Sequence, residues 1–275
     1  MFRAALAAAD EHEQRGITRT PRSPPMKIAV YRLLFLAALI GLWWLASTQV
    51  ARNLIPSPLA TLEAAQRLIA EGRLGTALFD SLSIYLGGYA VAILVGVPLG
   101  LLMGTIRPLG KTLEIFVYAL SATPRVAFIP LIIVFLGLGP QAKILIIFLG
   151  AVMPILINTY AGALNSDQEL VEMARSVGAR RQRIFTQIVL PGAVPFIIVG
   201  LRVGATIGLI NTVVAELYTA VKGLGGLLAI YGNTFRMAEY FVVVLTLAFV
   251  GVIVTEALRF VEIRLGRWRR SEVIV

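Results

Sequence analysis

The amino-acid sequence predicts an all-α membrane protein with six transmembrane helices. Hydrophobic residues make up 58% of the 275-residue chain and charged residues only 15%, whereas about 25% of the residues in a soluble domain are charged. The apolar residues are also collected into stretches of about 20 residues or more, long enough to cross a bilayer core of roughly 30 Å. In chain order, these stretches are residues 33–51, 81–106, 115–138, 144–163, 188–217 and 239–258.

The first two spans carry features typical of membrane helices. The first contains no charged residue, and Trp43 and Trp44 lie toward its far end, where an interfacial aromatic belt is expected. The second contains glycines that permit close helix packing: Gly87, Gly88, Gly96 and Gly100. Between the two spans, apolar residues recur at helical spacing after Pro56-Ser57-Pro58, which predicts an interfacial helix on the outer surface. These residues are Leu62, Ala65, Leu68 and Ile69.

The third span is interrupted by Thr123-Pro124-Arg125. Proline removes a helix hydrogen bond, so we expect a kink or an unwound turn at this point. Broken helices near the bilayer midplane often mark transport sites, but they are also tolerated as packing kinks. The sequence leaves both interpretations open.

Lysine and arginine are distributed unequally between the two sides of the predicted membrane. When the N-terminus is placed inside, 17 of the 25 basic residues fall in inner segments, six in outer segments and two within spans. This positive-inside bias predicts that both termini and the loop after the fourth span are cytoplasmic. We interpret residues 1–27 as a disordered cytoplasmic tail, residues 28–265 as the six-helix transmembrane domain and residues 266–275 as a cytoplasmic C-terminal tail.

The composition argues against several kinds of site. The chain has no cysteine, which excludes disulfides, thiol catalysis and cysteine-ligated zinc. Its single histidine, His12, lies in the polar N-terminal segment and argues against a histidine-based site. The positive-inside bias explains the net charge of +10 more simply than nucleic-acid binding does. We therefore expect no catalytic residue, no metal site, no cofactor on this chain and no nucleic-acid partner.

The most informative segment is EMARSVGARRQRIFTQIVLP, residues 172–191, a charged stretch between two apolar runs. The residues before Gly178 are good helix formers, and Gly178 supplies a left-handed stop. A second amphipathic stretch follows at residues 179–187. Leu190-Pro191 then opens the next membrane helix, where a proline in the first turn is tolerated. The pattern predicts an ordered helix–turn–helix.

The spacing Glu172-x-Ala174, then Gly178, then Ile188-x-Leu190-Pro191 resembles the cytoplasmic EAA loop of binding-protein-dependent ABC importer permeases. Other motifs resemble the nitrate/sulfonate/taurine-type branch of this family, although FLGLG stands where FGxG is usual. These motifs are Pro124-Arg125-x-Ala127-x-x-Pro130-Leu131, Phe135–Gly139, Leu190–Ala193, Gly200-Leu201-Arg202, Ala215-Glu216 and Gly223–Gly225. The resemblance implies the type I ABC importer permease fold with a cytoplasmic coupling helix.

The resemblance also implies the partners of the chain. The loop at residues 166–191 would dock on an ATPase that holds ATP and Mg, and two ATPase copies would require a second permease copy, as in a homodimer. A soluble substrate-binding protein or lipoprotein would dock on the outer face, and lipid would surround the spans in a bacterial inner membrane. The chain has no P-loop and is expected not to be an enzyme. The residues expected to couple to the ATPase are Glu169, Glu172, Met173, Ala174, Ser176, Val177, Gly178, Arg180, Leu190 and Pro191.

Polar residues within the spans are candidates for a substrate pathway. Arg125 and Arg202 are expected near mid-membrane, where a charge is costly and needs a reason. Thr206 lies one turn beyond Arg202, and Glu216 returns to nearly the same helix face at 100° per residue. Arginine donors along a pathway would suit a small anion such as a sulfonate, taurine or nitrate. The alternative is that each arginine pairs with a buried carboxylate or with helix-end carbonyls and locks the bundle.

Other functions fit the sequence less well. An ion-coupled secondary transporter usually carries inverted repeats and several intramembrane carboxylates, and only Glu216 and Glu256 are candidates here. A membrane-embedded enzyme would need convergent His, Cys or paired acidic residues, and the span interiors contain no Asp, His or Cys. An ABC permease with an uncharged heterocyclic substrate is a further alternative.

Overall fold

The computed structural model describes residues 25–50, 54–219 and 222–265, and within these ranges the chain is helical without any β-strand. The helices are α1 Pro25–Gln49, α2 Pro58–Ala70, α3 Arg73–Thr105, α4 Arg107–Ala122, α5 Ile129–Leu136, α6 Pro140–Leu164, α7 Gln168–Ser176, α8 Arg181–Ile184, α9 Leu190–Thr219, α10 Leu224–Asn233 and α11 Met237–Leu265. A 3₁₀ turn lies at Arg125–Phe128 and a π-helix at Phe185–Val189.

The chain divides into two compact units, one that ends at Ala51 and one that begins at Arg52. The first contains α1, which begins at Pro25, inside the segment predicted as a disordered tail. The rest of that tail and the C-terminal tail at residues 266–275 lie outside the described residues.

The six predicted spans correspond to five long helical runs and one bent pair of helices. In the described ranges, α1, α3, α6, α11 and the run from Arg181 to Thr219 are each long and apolar enough to cross a membrane. α4 and the run Arg125–Leu136 pass the same test together, but they are bent by 80° at the break between them. Thr123 at the break is extended, as expected for a residue that precedes a proline. The predicted interruption of the third span is therefore confirmed.

α6 is the central helix of the second unit and packs most extensively against α3 and α9. The glycines of α3 allow this approach, as the sequence predicted. A Cβ added to Gly100 would lie only 2.7 Å from the carbonyl oxygen of Leu156, and one added to Gly88 only 2.6 Å from the Cβ of Ile147. Such close contact between backbones is a main source of helix association in lipid.

The fifth span begins earlier than the sequence predicted. α8, the π-helix and α9 form one helical run from Arg181 to Thr219, so most of the amphipathic stretch at residues 179–187 is continuous with the span. The π-helix ends just before Leu190-Pro191. Because Pro191 has no N–H, the regular i→i−4 ladder is disturbed at this point.

Two short helices complete the unit. α2 is the helix predicted after Pro56-Ser57-Pro58, and the Ser57 hydroxyl caps it by accepting a hydrogen bond from the N–H of Ala60 at 3.2 Å. One face of α2 packs in a buried cluster with α10 and α11, whereas Leu62 and Ile69 are exposed. No helix was predicted between the fifth and sixth spans, where α10 lies. α10 has 10 residues and is about 15 Å long, too short to cross a bilayer.

Candidate functional site

The start of α7 is fixed by a side-chain cap. Oδ1 of Asp167 accepts hydrogen bonds from the N–H groups of Glu169 and Leu170, at 3.0 and 3.2 Å. An acidic cap is favoured at a helix N-terminus because the first N–H groups have no partner within the helix and the helix dipole is positive there.

The end of α7 is a sharp turn at Gly178. Its φ of +75° lies in the left-handed region, which confirms the predicted stop. The N–H of Ala179 donates to the carbonyl of Ala174 at 2.9 Å, and the N–H of Gly178 donates to that of Arg175 at 3.0 Å. These two bonds form a Schellman motif, so both ends of α7 are defined by the local sequence.

α7 packs against the rest of the unit through its buried residue Val171 and the half-buried Ala174. It packs with Ala163 at the end of α6 and with Ile184 and Val189 at the start of the fifth span. Because those residues belong to the two helices that flank the loop, a force on α7 acts directly on both spans.

The opposite face of α7 is exposed. Met173 is 59% exposed and Val177 is 78% exposed. In the described ranges, no ion pair joins Glu169 or Glu172 to a basic side chain. The other predicted coupling residues divide into the exposed Ser176, Gly178 and Arg180 and the half-buried Ala174, Leu190 and Pro191. The site therefore combines a rigid short helix with an exposed apolar tip.

A groove of about 660 Å³ lies beside this tip. Arg180 and Arg183 give it a positive charge, and we call it the arginine groove. Its lining residues are Val177, Gly178, Ala179, Arg180, Gln182, Arg183, Thr186 and Gln187. A groove of this composition fits an acidic segment of another protein.

A second polar cluster, the Glu216 joint, lies at the opposite end of α9. Glu216 is 1% exposed, and its carboxylate accepts hydrogen bonds from the Ser81 hydroxyl at 2.8 and 2.9 Å and from the N–H of Gly225 at 2.9 Å. The Ser81 hydroxyl oxygen in turn accepts a hydrogen bond from the N–H of Leu224 at 2.8 Å. The joint thus ties the first turn of α10 to α3 and α9.

The approach of α10 to Glu216 requires glycine. A Cβ on Gly223 would lie 2.1 Å from Oε1 of Glu216, and one on Gly225 would lie 2.6 Å from the Glu216 Cβ. Gly223 also has a φ of +91°. Lys143 of α6, which is 4% exposed, faces this region, and its charge interacts with those of Glu216 and Asp80.

A cluster of charged residues surrounds Tyr231 near the same end of the unit. The guanidinium groups of Arg73 and Arg236 lie 5.8 and 5.1 Å from its ring centroid, within the range of a cation–π interaction. Nη2 of Arg236 also donates to Oε1 of Glu239 at 2.7 Å. That hydrogen bond raises the pKa of Arg236 above its ordinary value, so these charges stabilise the contact between α10 and the start of α11.

The four predicted pathway residues contact different neighbours. Arg202 forms an ion pair with Glu262 of α11, and the Thr206 hydroxyl donates to the Arg202 carbonyl at 3.2 Å. Arg125 donates to backbone carbonyls, one of them that of Gly150 in α6 at 2.9 Å. Each arginine therefore has an acceptor within the chain, although Glu262, the partner of Arg202, is 40% exposed and not a buried carboxylate.

Glu216 is the most buried of the four predicted pathway residues. It is 1% exposed within the single chain. Glu216 and Arg202 lie on nearly the same face of α9, as the 100° spacing per residue predicted. The face alone does not identify the neighbouring helix that a residue contacts.

Sequence reasoning missed two residues of these clusters, Ser81 and Glu262. Glu262 was overlooked because the predicted sixth span ended at residue 258, whereas α11 continues to Leu265. If the sixth span had been extended to residue 265, Glu262 would have been identified as a candidate partner for an intramembrane arginine. Ser81 gave no signal in the sequence. In the described ranges, no group of His, Cys, Asp and Glu residues could hold a metal ion.

Residues 96–267 match the family model described as the binding-protein-dependent transport system inner membrane component. A probable ABC transporter permease protein of Brucella abortus (strain 2308) is 33% identical over 237 residues, which cover 86% of this chain and 94% of the relative. The taurine transport system permease protein TauC of Escherichia coli (strain K12) is 28% identical and covers 94% of this chain and 95% of its own length. The nitrate import permease protein NrtB of Synechocystis sp. (strain PCC 6803) is 28% identical, and the match covers 82% of this chain and 86% of NrtB.

The fold is also found in a solved transporter. A structure of the inward-facing MetNI methionine ABC transporter superposes with a TM-score of 0.60 at 20% identity. The alignment covers 68% of this chain and 93% of the solved chain.

Proposed function

This chain belongs to the family of inner membrane components of binding-protein-dependent transport systems, and we propose that its α7 loop, residues 166–191, docks on the ATPase of an importer for a small anion. It is a multi-pass ABC importer permease of the taurine/sulfonate/nitrate type. It is a transport protein and not an enzyme, and it works with an ATPase and a substrate-binding protein.

The observation that carries the docking proposal is the exposed apolar tip on a capped helix. Val177 is 78% exposed beside the arginine groove, while Asp167 and Gly178 fix the two ends of α7. A rigid element of this kind transmits motion better than a slack loop. Val171 links α7 to the two flanking spans, so closure of the ATPase dimer would move those spans directly.

Co-purification of the tagged chain with the ATPase of its transporter tests this proposal. We expect Val177→Glu to abolish co-purification, because a charge replaces the apolar tip, while membrane insertion and Tm stay unchanged. The matched control is Leu62→Glu on α2, which is 56% exposed at the other end of the unit and should leave co-purification intact. Retention of the ATPase by Val177→Glu would contradict docking at α7.

The assembly and orientation follow from this docking. One α7 loop in each chain and two ATPase subunits call for a second permease copy, and we propose a homodimer surrounded by lipid. ATP and Mg would bind to the ATPase. The excess of Lys and Arg in the segments that include the α7 loop supports a cytoplasmic position for this loop and for both termini. The substrate-binding protein, soluble or a lipoprotein, would then dock at the α10 end.

The chain has no cysteine, so a single introduced cysteine reports orientation without background. Ser176→Cys should be labelled by an impermeant thiol reagent only when the cytoplasmic side is open. Thr234→Cys, beside α10, should be labelled in intact cells whose outer barrier is permeabilised. The reverse pattern would overturn the orientation.

The anionic substrate is proposed from the relatives, one named for taurine and one for nitrate. The proposal does not depend on the predicted pathway residues Arg125 and Arg202, which contact groups within the chain. The test is uptake by the reconstituted transporter with its binding protein, using taurine, an alkanesulfonate, nitrate and an uncharged pyrimidine precursor. Uptake of the uncharged compound alone would replace the anion proposal by the heterocyclic alternative.

A further inference from the structure

We infer that Arg125 is a positioning residue that pins the break in the third span to a backbone carbonyl of α6. The carbonyl is that of Gly150, and it is available because Pro154 has no N–H to donate to it. This assignment goes beyond the proposed function, since it concerns the permease itself and can be tested without a partner protein.

The guanidinium of Arg125 bridges two helices. Its Nη2 donates to the carbonyl of Ser121 in the last turn of α4 at 3.1 Å. Its Nη1 donates to the carbonyl of Gly150 in α6 at 2.9 Å and, more weakly, to that of Leu149 at 3.4 Å. Arg125 is also the first residue of the 3₁₀ turn that follows the break. One side chain therefore connects the end of α4, the start of the next segment and the middle of α6.

Pro154 explains why a carbonyl inside α6 can accept this bond. In an α-helix the N–H of each residue donates to the carbonyl four positions earlier, and Pro154 stands four positions after Gly150 within α6. Proline has no N–H, so the Gly150 carbonyl has lost its helical donor. A buried carbonyl without a partner is costly, and Arg125 supplies the missing donor.

The depth of Gly150 makes the pairing necessary for Arg125 as well. Gly150 lies ten residues after the first residue of α6 and fourteen before the last. It is therefore about 15 Å from the start of the helix, near the centre of a bilayer core of roughly 30 Å. An arginine at this depth must find its hydrogen-bond acceptors within the protein.

α9 closes the other side of this contact. A Cβ on Gly150 would lie 2.2 Å from Nδ2 of Asn211, so α6 has no room for a side chain at this position. Gly150 is thus packed against α9 on the side where a Cβ would point, and its carbonyl accepts from Arg125. Arg125 thus ties the end of α4 and the 3₁₀ turn to α6, and this contact holds the 80° bend.

A double-mutant cycle between Arg125 and Pro154 tests this assignment. Arg125→Met removes the donors, and Pro154→Ala restores an N–H that can reach the Gly150 carbonyl. In the full chain reconstituted in lipid nanodiscs, we expect Arg125→Met to lower Tm by about 5 °C. Arg125→Met/Pro154→Ala should recover at least half of that loss.

The matched control is Pro98→Ala, which replaces another proline within a span, in α3, and should recover nothing in the Arg125→Met background.

In the complete transporter, ATP hydrolysis stimulated by the binding protein should follow the same pattern, with a fall of about tenfold in Arg125→Met. If Arg125→Met does not insert, Arg125→Lys is used in the cycle, since a lysine keeps the charge but lacks the two separate nitrogens that reach Ser121 and Gly150.

Additive losses in the double variant would overturn the inference, as would equal recovery with Pro98→Ala. Recovery of Tm by Pro154→Ala but not by Pro98→Ala supports the inference, even if the wild-type chain does not co-purify with the ATPase. In that case the proposed docking at α7 fails and the Arg125 assignment stands, so the two failures are distinguishable.

Discussion

The two ends of α9 use charge in opposite ways. At one end, the carboxylate of Glu216 is buried and accepts hydrogen bonds from Ser81 and Gly225. At the other end, Glu169 and Glu172 of α7 are exposed, and no ion pair to them is found in the described part of the chain. A buried carboxylate that accepts hydrogen bonds from two other helices holds those helices together, whereas an exposed charge contributes little to folding and is available to a partner.

The largest effect on stability is expected at Glu216. Glu216→Ala leaves the Ser81 hydroxyl and the Gly225 N–H without their acceptor in a crowded site, and we expect a loss of about 3 kcal/mol in the free energy of unfolding. Glu216→Gln keeps one oxygen that can accept a hydrogen bond, so its loss of stability should be clearly smaller. Thermal unfolding of the full chain in nanodiscs measures both. Equal losses in the two variants would show that the second carboxylate oxygen, which an amide lacks, dominates at the joint and that side-chain volume contributes little.

A second test compares two glycines of the same helix, α3. Gly100→Ala would place a Cβ 2.7 Å from the Leu156 carbonyl oxygen and the Thr159 Cβ, so we expect a loss of about 2 kcal/mol from overpacking. Gly75→Ala would meet nothing within 4 Å and should gain up to about 1 kcal/mol from helix propensity. Opposite signs of the change in Tm are the expected result. Two changes of the same sign would mean that the α3–α6 contact can relax.

The smallest effects on stability are expected in α7. Asp167→Ala removes the cap and should cost about 1 kcal/mol, whereas Glu172→Gln should change stability by no more than about 0.5 kcal/mol. The exposed charge should instead affect binding, so Glu172→Gln should weaken ATPase co-purification at an unchanged Tm. A large fall in Tm for Glu172→Gln would erase the contrast between the two ends of α9.

Local sequence was sufficient for much of the fold and of the α7 loop. The spans follow from the length of the apolar stretches, the break in the third span from Pro124, and the end of α7 from Gly178. Each of these features depends on a residue and its neighbours within one or two turns. α10 was missed because its first turn is rich in glycine, which in a sequence is typical of a turn. Only the tertiary structure shows that these glycines allow the helix to pack against Glu216.

The sequence alone thus determined the spans, the stop of α7 at Gly178 and the family resemblance that the relatives confirm. Only the tertiary structure decided the partners of the buried polar groups: Gly150 for Arg125, Glu262 for Arg202 and Ser81 for Glu216. The Ser81–Glu216 bond joins residues 135 positions apart. Helix periodicity fixes the face on which a side chain lies, but the neighbouring helix and its depth are set by how glycines and prolines let the helices pack.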